Sequence, residues 1–155
     1  LVLLGNINMG QPDWYNISLK VFLKNAEGKI LALKADEASN MAGFYDFPGG
    51  RIDPDEFNTP YEDIIKRELG EEIGAGVKYK LSLKPASFAR HHYFSERQNK
   101  DIRILLLFFE ADYLGGEIKI SPEHTGSDWL DLKNIDINKY FIEGCLEVVQ
   151  RYIAP

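Results

Sequence analysis

An α+β fold, with a mixed β-sheet between helices, is what this sequence predicts, and three observations lead to it. Segments of alternating or continuous apolar residues rich in β-formers recur at Tyr15–Lys24, Ile30–Ala35 and Ile102–Tyr113. Two helical patterns occur, one opening at Thr59 and one over Asn138–Ile153. Strands precede, separate and follow the helices instead of alternating strictly with them, and a mixed sheet layered between helices is the simplest arrangement of such an order. The 155 residues, 45% hydrophobic and 27% charged, fit one globular domain over 1–155. A domain of that size buries roughly 70% of the surface its unfolded chain exposes.

Within Tyr15–Lys24, Ile17, Leu19, Val21 and Leu23 alternate with Asn16, Ser18, Lys20 and Phe22, the pattern of a strand with one mainly apolar face. "NAEGK" at Asn25–Lys29 is a turn, and "ILALKA" at Ile30–Ala35 completes a hairpin. Ser39–Phe47 reads as an exposed loop leading to a short strand before Pro48. At the first helix, Thr59 as N-cap, Pro60 at the first helical position and Glu62 form a capping box, and Gly74 is the stop. Tyr61, Ile65, Leu69 and Ile73 make its apolar stripe. Val77–Arg90 should hold an extended segment and "HHYFSERQNKD" at His91–Asp101 an exposed loop. The nearly continuous apolar run Ile102–Tyr113 predicts a central strand covered on both faces. "EIKIS" after Gly115–Gly116 and "DWLDL" at Asp128–Leu132 read as short strands, and Asn138–Ile153 as the closing helix. No internal repeat or low-complexity tract is present.

Bulk properties narrow the function. A net charge of −6 and a pI near 5.1 argue against a nucleic-acid polymer as partner. Cys145, the single cysteine, cannot form an internal disulfide and reads as a packed thiol, which points to the reducing cytoplasm. The apolar start Leu1–Leu4 is shorter than a signal-peptide core, and no run reaches the ~18 apolar residues that span a bilayer, so no membrane partner is expected. The first residue is Leu, which leaves the native start open.

Chemistry is concentrated in "PGGRIDPDEFNTPYEDIIKRELGEEIG", Pro48 to Gly74. Positions 68, 71 and 72 lie three or four apart on a helix, so three glutamates share one surface, where each like-charge pair costs on the order of 0.2–0.5 kcal/mol. Glu71 and Glu72 also fall in the last turn, where the helix dipole disfavours anions. Folding alone does not recommend them there. The preceding "PGGR" is a flexible turn that can bring main-chain carbonyls near the glutamates, and oxygens converging from two directions suit Mg²⁺.

These residues resemble the Nudix box, whose pattern is Gly, five residues, Glu, seven residues, then Arg-Glu-hydrophobic-any-Glu-Glu-any-Gly-hydrophobic. Gly50 and Glu56 match its first half, and "RELGEEIGA", Arg67 to Ala75, its second. Ten residues, Phe57 to Lys66, stand where the pattern has seven, a three-residue insertion that the predicted cap at Thr59 assigns to the loop before the helix. In the family the glutamate matching Glu56 helps hold the arginine; here Asp55 or Glu62 could do so instead. The resemblance implies an α/β/α sandwich and a metal shell of Glu68, Glu71, Glu72 and the Gly49 carbonyl, holding Mg²⁺ or Mn²⁺. Arg67 would orient these carboxylates.

"ISPEHTGSDWLDL" is similar to the late loop of Nudix enzymes in which a glutamate six residues before a tryptophan serves as base. Glu123 and Trp129 have that spacing, with a box glutamate as the alternative, and His124 reads as a surface histidine. The implied activity is metal-dependent hydrolysis of the pyrophosphate linkage in a nucleoside diphosphate derivative. A nucleoside triphosphate or modified nucleotide is favoured, because Pro85 is too early for the proline of ADP-ribose hydrolases and no marker for NADH or coenzyme A occurs. A non-catalytic nucleotide sensor on the same fold is the alternative, against which the complete set of box glutamates counts. The fold's diphosphate isomerases normally depend on a catalytic cysteine, a role for which Cys145 is badly placed. Arg51, Phe44 and Tyr93 are the substrate-binding candidates; Tyr45 and Phe88 are further aromatics that could stack on a base, although packing is the commoner fate of such rings. Homodimers are common in the family, but no interface is legible.

Overall fold

A computed structural model describes residues 10–155; the apolar stretch Leu1–Leu4 lies outside them. The expected hairpin forms from β1 (Asn16–Lys24) and β2 (Ile30–Ala35), closed by the turn at Gly28. Two short strands follow, β3 (Tyr45–Asp46) and β4 (Gly49–Arg51), then α1 (Tyr61–Leu69), which continues without a break into a π-helical turn at Gly70–Gly74. A long antiparallel pair, β5 (Lys78–Ser95) and β6 (Lys100–Gly115), precedes β7 (His124–Leu130) and α2 (Glu143–Ile153).

The strands order as β3-β2-β1-β6-β5, with β4 also on β1 and β7 on β2. The β1–β6 pairing is parallel and the other pairings are antiparallel, so the sheet is mixed. On one face Leu19, Val21, Leu23, Leu31, Leu33 and Phe109 meet Ile64, Ile65, Leu69 and Ile73 of α1 and its π-turn. On the other, Phe22, Phe47, Ile104, Leu106 and Phe108 meet Phe141, Cys145, Val148 and Val149 at α2. A sheet between two helical layers is the predicted sandwich. Among the described residues no helix is long and apolar enough to cross a membrane.

Several local expectations give way to tertiary context. Strand β1 is not one-sided: Ser18, Lys20 and Phe22 are buried as well as Leu19, Val21 and Leu23, because both helical layers cover it. The expected loop His91–Asp101 is mostly strand, with β5 running to Ser95 and β6 starting at Lys100, so only a tight turn remains. "EIKIS" is not a strand; Lys119 and Ser121 donate their N–H groups to the carbonyls of Ile73 and Glu72. The last short strand lies earlier than expected, at His124–Leu130, and the closing helix starts at Glu143 after a 3-10 turn at Ile137–Lys139. Thr59 does not cap α1. Pro60 holds the N-cap position without a side-chain bond, its carbonyl accepting from Asp63 and Ile64, and Tyr61 is half exposed.

The split edge of β1 makes the site. Ser18–Lys20 pair with β4, whereas β2 joins β1 only at Lys24. Here β4 must approach closely: a Cβ on Gly49 would lie 2.8 Å from the Lys20 Cα and collide with the Leu19 carbonyl, and its φ of +121° is one that side chains rarely adopt. We predict that Gly49→Ala destabilises the fold by at least about 2 kcal/mol, read as a lowered urea midpoint with an unchanged slope.

Candidate functional site

A cleft of about 380 Å³ opens on the α2 side of the sheet. Its walls bring together Ser18 and Lys20 of β1, Gly49–Arg51 of β4, Glu68 and Glu72, His91 and Tyr93 of β5, and Glu123. Glu68 and Glu72 are 13% and 12% exposed, whereas Glu71 is 61% exposed and turned toward Arg67. The three glutamates, which helical spacing puts on one surface, are therefore not equivalent in burial. Among the described residues, no three His, Cys, Asp or Glu side chains are gathered closely enough to hold a metal ion by themselves.

Arg67 organises the acidic end. Its Nε and Nη2 donate to the two Glu56 oxygens at 2.6 and 2.7 Å, a bidentate pair, and its Nη1 donates to Glu68 at 2.8 Å and Glu71 at 3.4 Å. Glu56 is thus the acid that holds the arginine, not Asp55 or Glu62. It also accepts from the Asp53 N–H at 2.9 Å, which fixes the turn at Pro54–Glu56. The insertion bulges out beyond this clamp, with Phe57 89% exposed. Burial raises the Glu68 carboxyl above its ordinary value; Arg67 works against this, and Glu72 and Glu71 add to it. Gly50 leaves the room that carboxylate occupies, since a Cβ there would overlap it.

The Glu72 carboxylate accepts the Gly49 N–H at 2.7 Å on Oε2, and His124 Nε2 lies 3.4 Å from Oε1. His124 is only 10% exposed, not the surface histidine its loop setting suggested. Arg51 donates to the Tyr93 hydroxyl at 2.5 Å with its guanidinium over that ring, so these two candidates form one unit. Glu123 is exposed at the cleft's edge. Phe44 stands in the turn before β3, while Met41 and Asn40 line the cleft in that region. Trp129 packs on Tyr113 on the α1 side of the sheet.

Sequence reading missed the cleft floor. Lys20 Nζ donates to Asp46 Oδ2 at 2.9 Å and to the Phe47 carbonyl at 3.0 Å, and the Cys145 thiol lies 3.4 Å from Asp46 Oδ1. Burial acts to lower the lysine's pKa, but the Asp46 and Glu72 carboxylates outweigh it and hold Lys20 above its ordinary value. Burial likewise acts to raise Asp46, and Lys20 holds it below its ordinary value. Phe22, standing on the strand face opposite Leu19, Val21 and Leu23, was the available signal that this face is covered.

A mixed sheet between two helical layers is an architecture that known proteins share. The NUDIX domain family model matches residues 14–146, and the chain belongs to that family. An uncharacterized Nudix hydrolase, orf19, of Rhodococcus erythropolis is 29% identical over 118 residues, 74% of this chain and 62% of that protein. The CTP pyrophosphohydrolase of Escherichia coli K12 is 40% identical over 48 residues, 31% of this chain and 33% of that protein. The match thus spans less than two thirds of either relative. In structure, the MutT protein from Methanosarcina mazei Go1 superposes with a TM-score of 0.70 at 24% identity, covering 92% of this chain and 96% of that one. The E. coli ORF135 protein gives 0.64 at 20% identity, covering 90% and 89%. Both share the fold.

Removing one partner of a buried ion pair leaves an uncompensated charge, so Asp46→Asn should cost about 3–5 kcal/mol, whereas Lys20→Met with Asp46→Leu should cost far less. The Asp46 contribution is complete above the ordinary aspartate value of about 3.9 and is lost as pH falls through its depressed folded value. Denaturant titrations at successive acid pH values should accordingly show a steeper loss of stability in wild type than in the double variant.

Proposed function

We propose that this protein is a divalent-metal-dependent hydrolase that cleaves the pyrophosphate linkage of a nucleoside diphosphate derivative, a nucleoside triphosphate or modified nucleotide being its substrate. The observation that carries this reading is one cleft holding two nearly buried glutamates, an exposed third carboxylate and an arginine laid on a tyrosine. Its volume of about 380 Å³ falls in the range of small-ligand sites, ~300–1,000 Å³. Membership of the NUDIX family and the activity named for the E. coli relative, a CTP pyrophosphohydrolase, agree with it.

The donor set fits Mg²⁺ or Mn²⁺. Carboxylate oxygens are hard ligands, and Mg²⁺ commonly keeps several waters while using one or two carboxylates and the substrate's phosphates, so a cage of three protein side chains is not required. Glu68 and Glu72 would hold the ion, with the Gly49 carbonyl and Glu71 as the further donors. When bound, the ion would neutralise pyrophosphate charge and acidify a coordinated water.

The chain's own residues divide the remaining work. Arg67 keeps Glu68 in place through a short charged hydrogen bond. Arg51 meets the phosphates as a cation, and Tyr93, which fixes its guanidinium, offers a ring face to the substrate. Glu123, free of side-chain partners among the described residues and at the cleft's edge, accepts the proton of the attacking water. The buried, unpaired Cys145 thiol fits a reducing, cytoplasmic setting.

Incubation with a panel of nucleoside triphosphates and nucleoside diphosphate derivatives with Mg²⁺, with products identified by mass, tests the reading; tight nucleotide binding without any product would defeat it. Glu72→Gln should keep the melting temperature and abolish Mg²⁺-dependent turnover. Glu123→Gln should lower kcat by about 10²–10⁴-fold with Mn²⁺ affinity retained, and a variant as fast as wild type would remove Glu123 from the base role.

A further inference from the structure

The loop before β7 is stitched to the π-turn by its backbone. Lys119 N–H donates to the Ile73 carbonyl and Ser121 N–H to the Glu72 carbonyl, each at 2.9 Å. Carbonyls in the last turn of a helix have no intrahelical partner, so these bonds cap it. The chain then turns through Pro122 and Glu123, and the His124 N–H bonds back to the Ser121 carbonyl at 3.1 Å. This brings the His124 imidazole onto the Glu72 side chain, with Nε2 3.4 Å from Oε1.

A carboxylate only accepts, so Nε2 is the donor in this contact. The other ring nitrogen, Nδ1, is buried with no partner among the described residues. Glu72 is therefore the ring's one hydrogen-bond partner among the described residues. On the opposite side, the Gly49 N–H holds Oε2 at 2.7 Å. Each oxygen takes one donor from the protein and keeps lone-pair capacity for a cation.

We propose that His124 is a positioning residue for Glu72, holding that carboxylate jointly with the Gly49 N–H in the orientation that binds the divalent ion. The inference rests on the assignment of Glu72 as a metal ligand made above. A free glutamate side chain must surrender rotamer freedom when it binds a cation; a side chain already held from two sides has surrendered it on folding. Because His124 follows Glu123 directly, the same contact keeps the proposed base beside the metal carboxylates.

Binding of Mn²⁺, followed by the loss of the free-ion electron paramagnetic resonance signal, tests this without recourse to turnover. His124→Leu should weaken binding about 10–100-fold, the usual effect of losing a partner of a metal ligand. His124→Gln, whose amide nitrogen can donate at a similar reach, should restore most of it. Within a Glu72→Gln background, His124→Leu should add nothing, as expected for two groups acting as one unit. Wild-type affinity in His124→Leu, a Gln variant no better than Leu, or a full additional loss in the Glu72→Gln background would each overturn the proposal. If the Leu variant does not fold, His124→Asn, whose amide stops short of the Nε2 position, takes its place with the same expectations. Undiminished Mn²⁺ binding in Glu72→Gln alone would instead remove the metal-ligand assignment beneath it.

Discussion

Asp53, Glu56, Glu68, Glu71 and Glu72 crowd one end of the sheet, and the Arg67 guanidinium lies within 4 Å of the first four. Exposed ion pairs usually contribute ~0–1 kcal/mol, but a planar guanidinium bound bidentately to Glu56 and singly to Glu68 also fixes geometry. It joins the turn at Pro54–Glu56 to α1, and its Nη2 reaches the Arg51 carbonyl at 3.4 Å, so β4 is tied in as well. The reciprocal effects are consistent: Arg67 holds Glu56 below its ordinary value, and Glu56 and Glu68 raise Arg67. The three-residue insertion is tolerated because it lies outside this clamp, between Glu56 and the first turn of α1, where an extended loop costs little closure entropy.

Much of this was legible in the sequence for a physical reason. The box residues act within one helix and its flanking turn, and local spacing determines which side chains can meet. The layered fold was legible too, since long apolar runs and helical stripes report burial directly. Misreadings fell where distant strands decide the outcome. His91–Ser95 are polar enough for a loop, yet pairing with Asp101–Ile104 and Lys100 makes them strand. Lys20 alternates correctly for a solvent face, yet α2 and β3 cover it and Asp46 compensates its charge. Thr59 and Glu62 satisfy a capping rule, but Thr59 instead closes the preceding turn by donating its N–H to the Glu56 carbonyl.

Strand β1 is where structure and site become one problem. Its Leu19, Val21 and Leu23 serve the α1 core while Phe22 serves the α2 core, and Ser18 and Lys20 on the latter face open into the cleft. The Lys20 ammonium in such a place must be compensated, because an unpaired buried charge costs several kcal/mol. The Phe47 carbonyl and Asp46 meet that need within the short β3–β4 segment that also presents Gly49 and Gly50 to the glutamates. The chain's approach to the cleft and the compensation of its buried lysine thus depend on the same few residues.

Adjacent glutamates in the π-turn have different surroundings. A π-helical turn carries an i→i+5 pattern and is frequent at functional sites; here it occupies Gly70–Gly74, where Glu71 and Glu72 lie. Glu71 turns outward to Arg67, while Glu72 turns inward to the Gly49 N–H and His124. Among the box glutamates, Glu72 is thereby the one without an arginine contact among the described residues. Its charge is met by a backbone dipole, an imidazole and the field of Lys20, none of which neutralises it by direct ion pairing as Arg67 does for Glu56. A nearly buried carboxylate left in that state remains available to an added cation, whereas Arg67 already satisfies the others in part. The two adjacent glutamates thus divide the work: Glu71 extends the Arg67 clamp, while Glu72, with Glu68, faces the cleft.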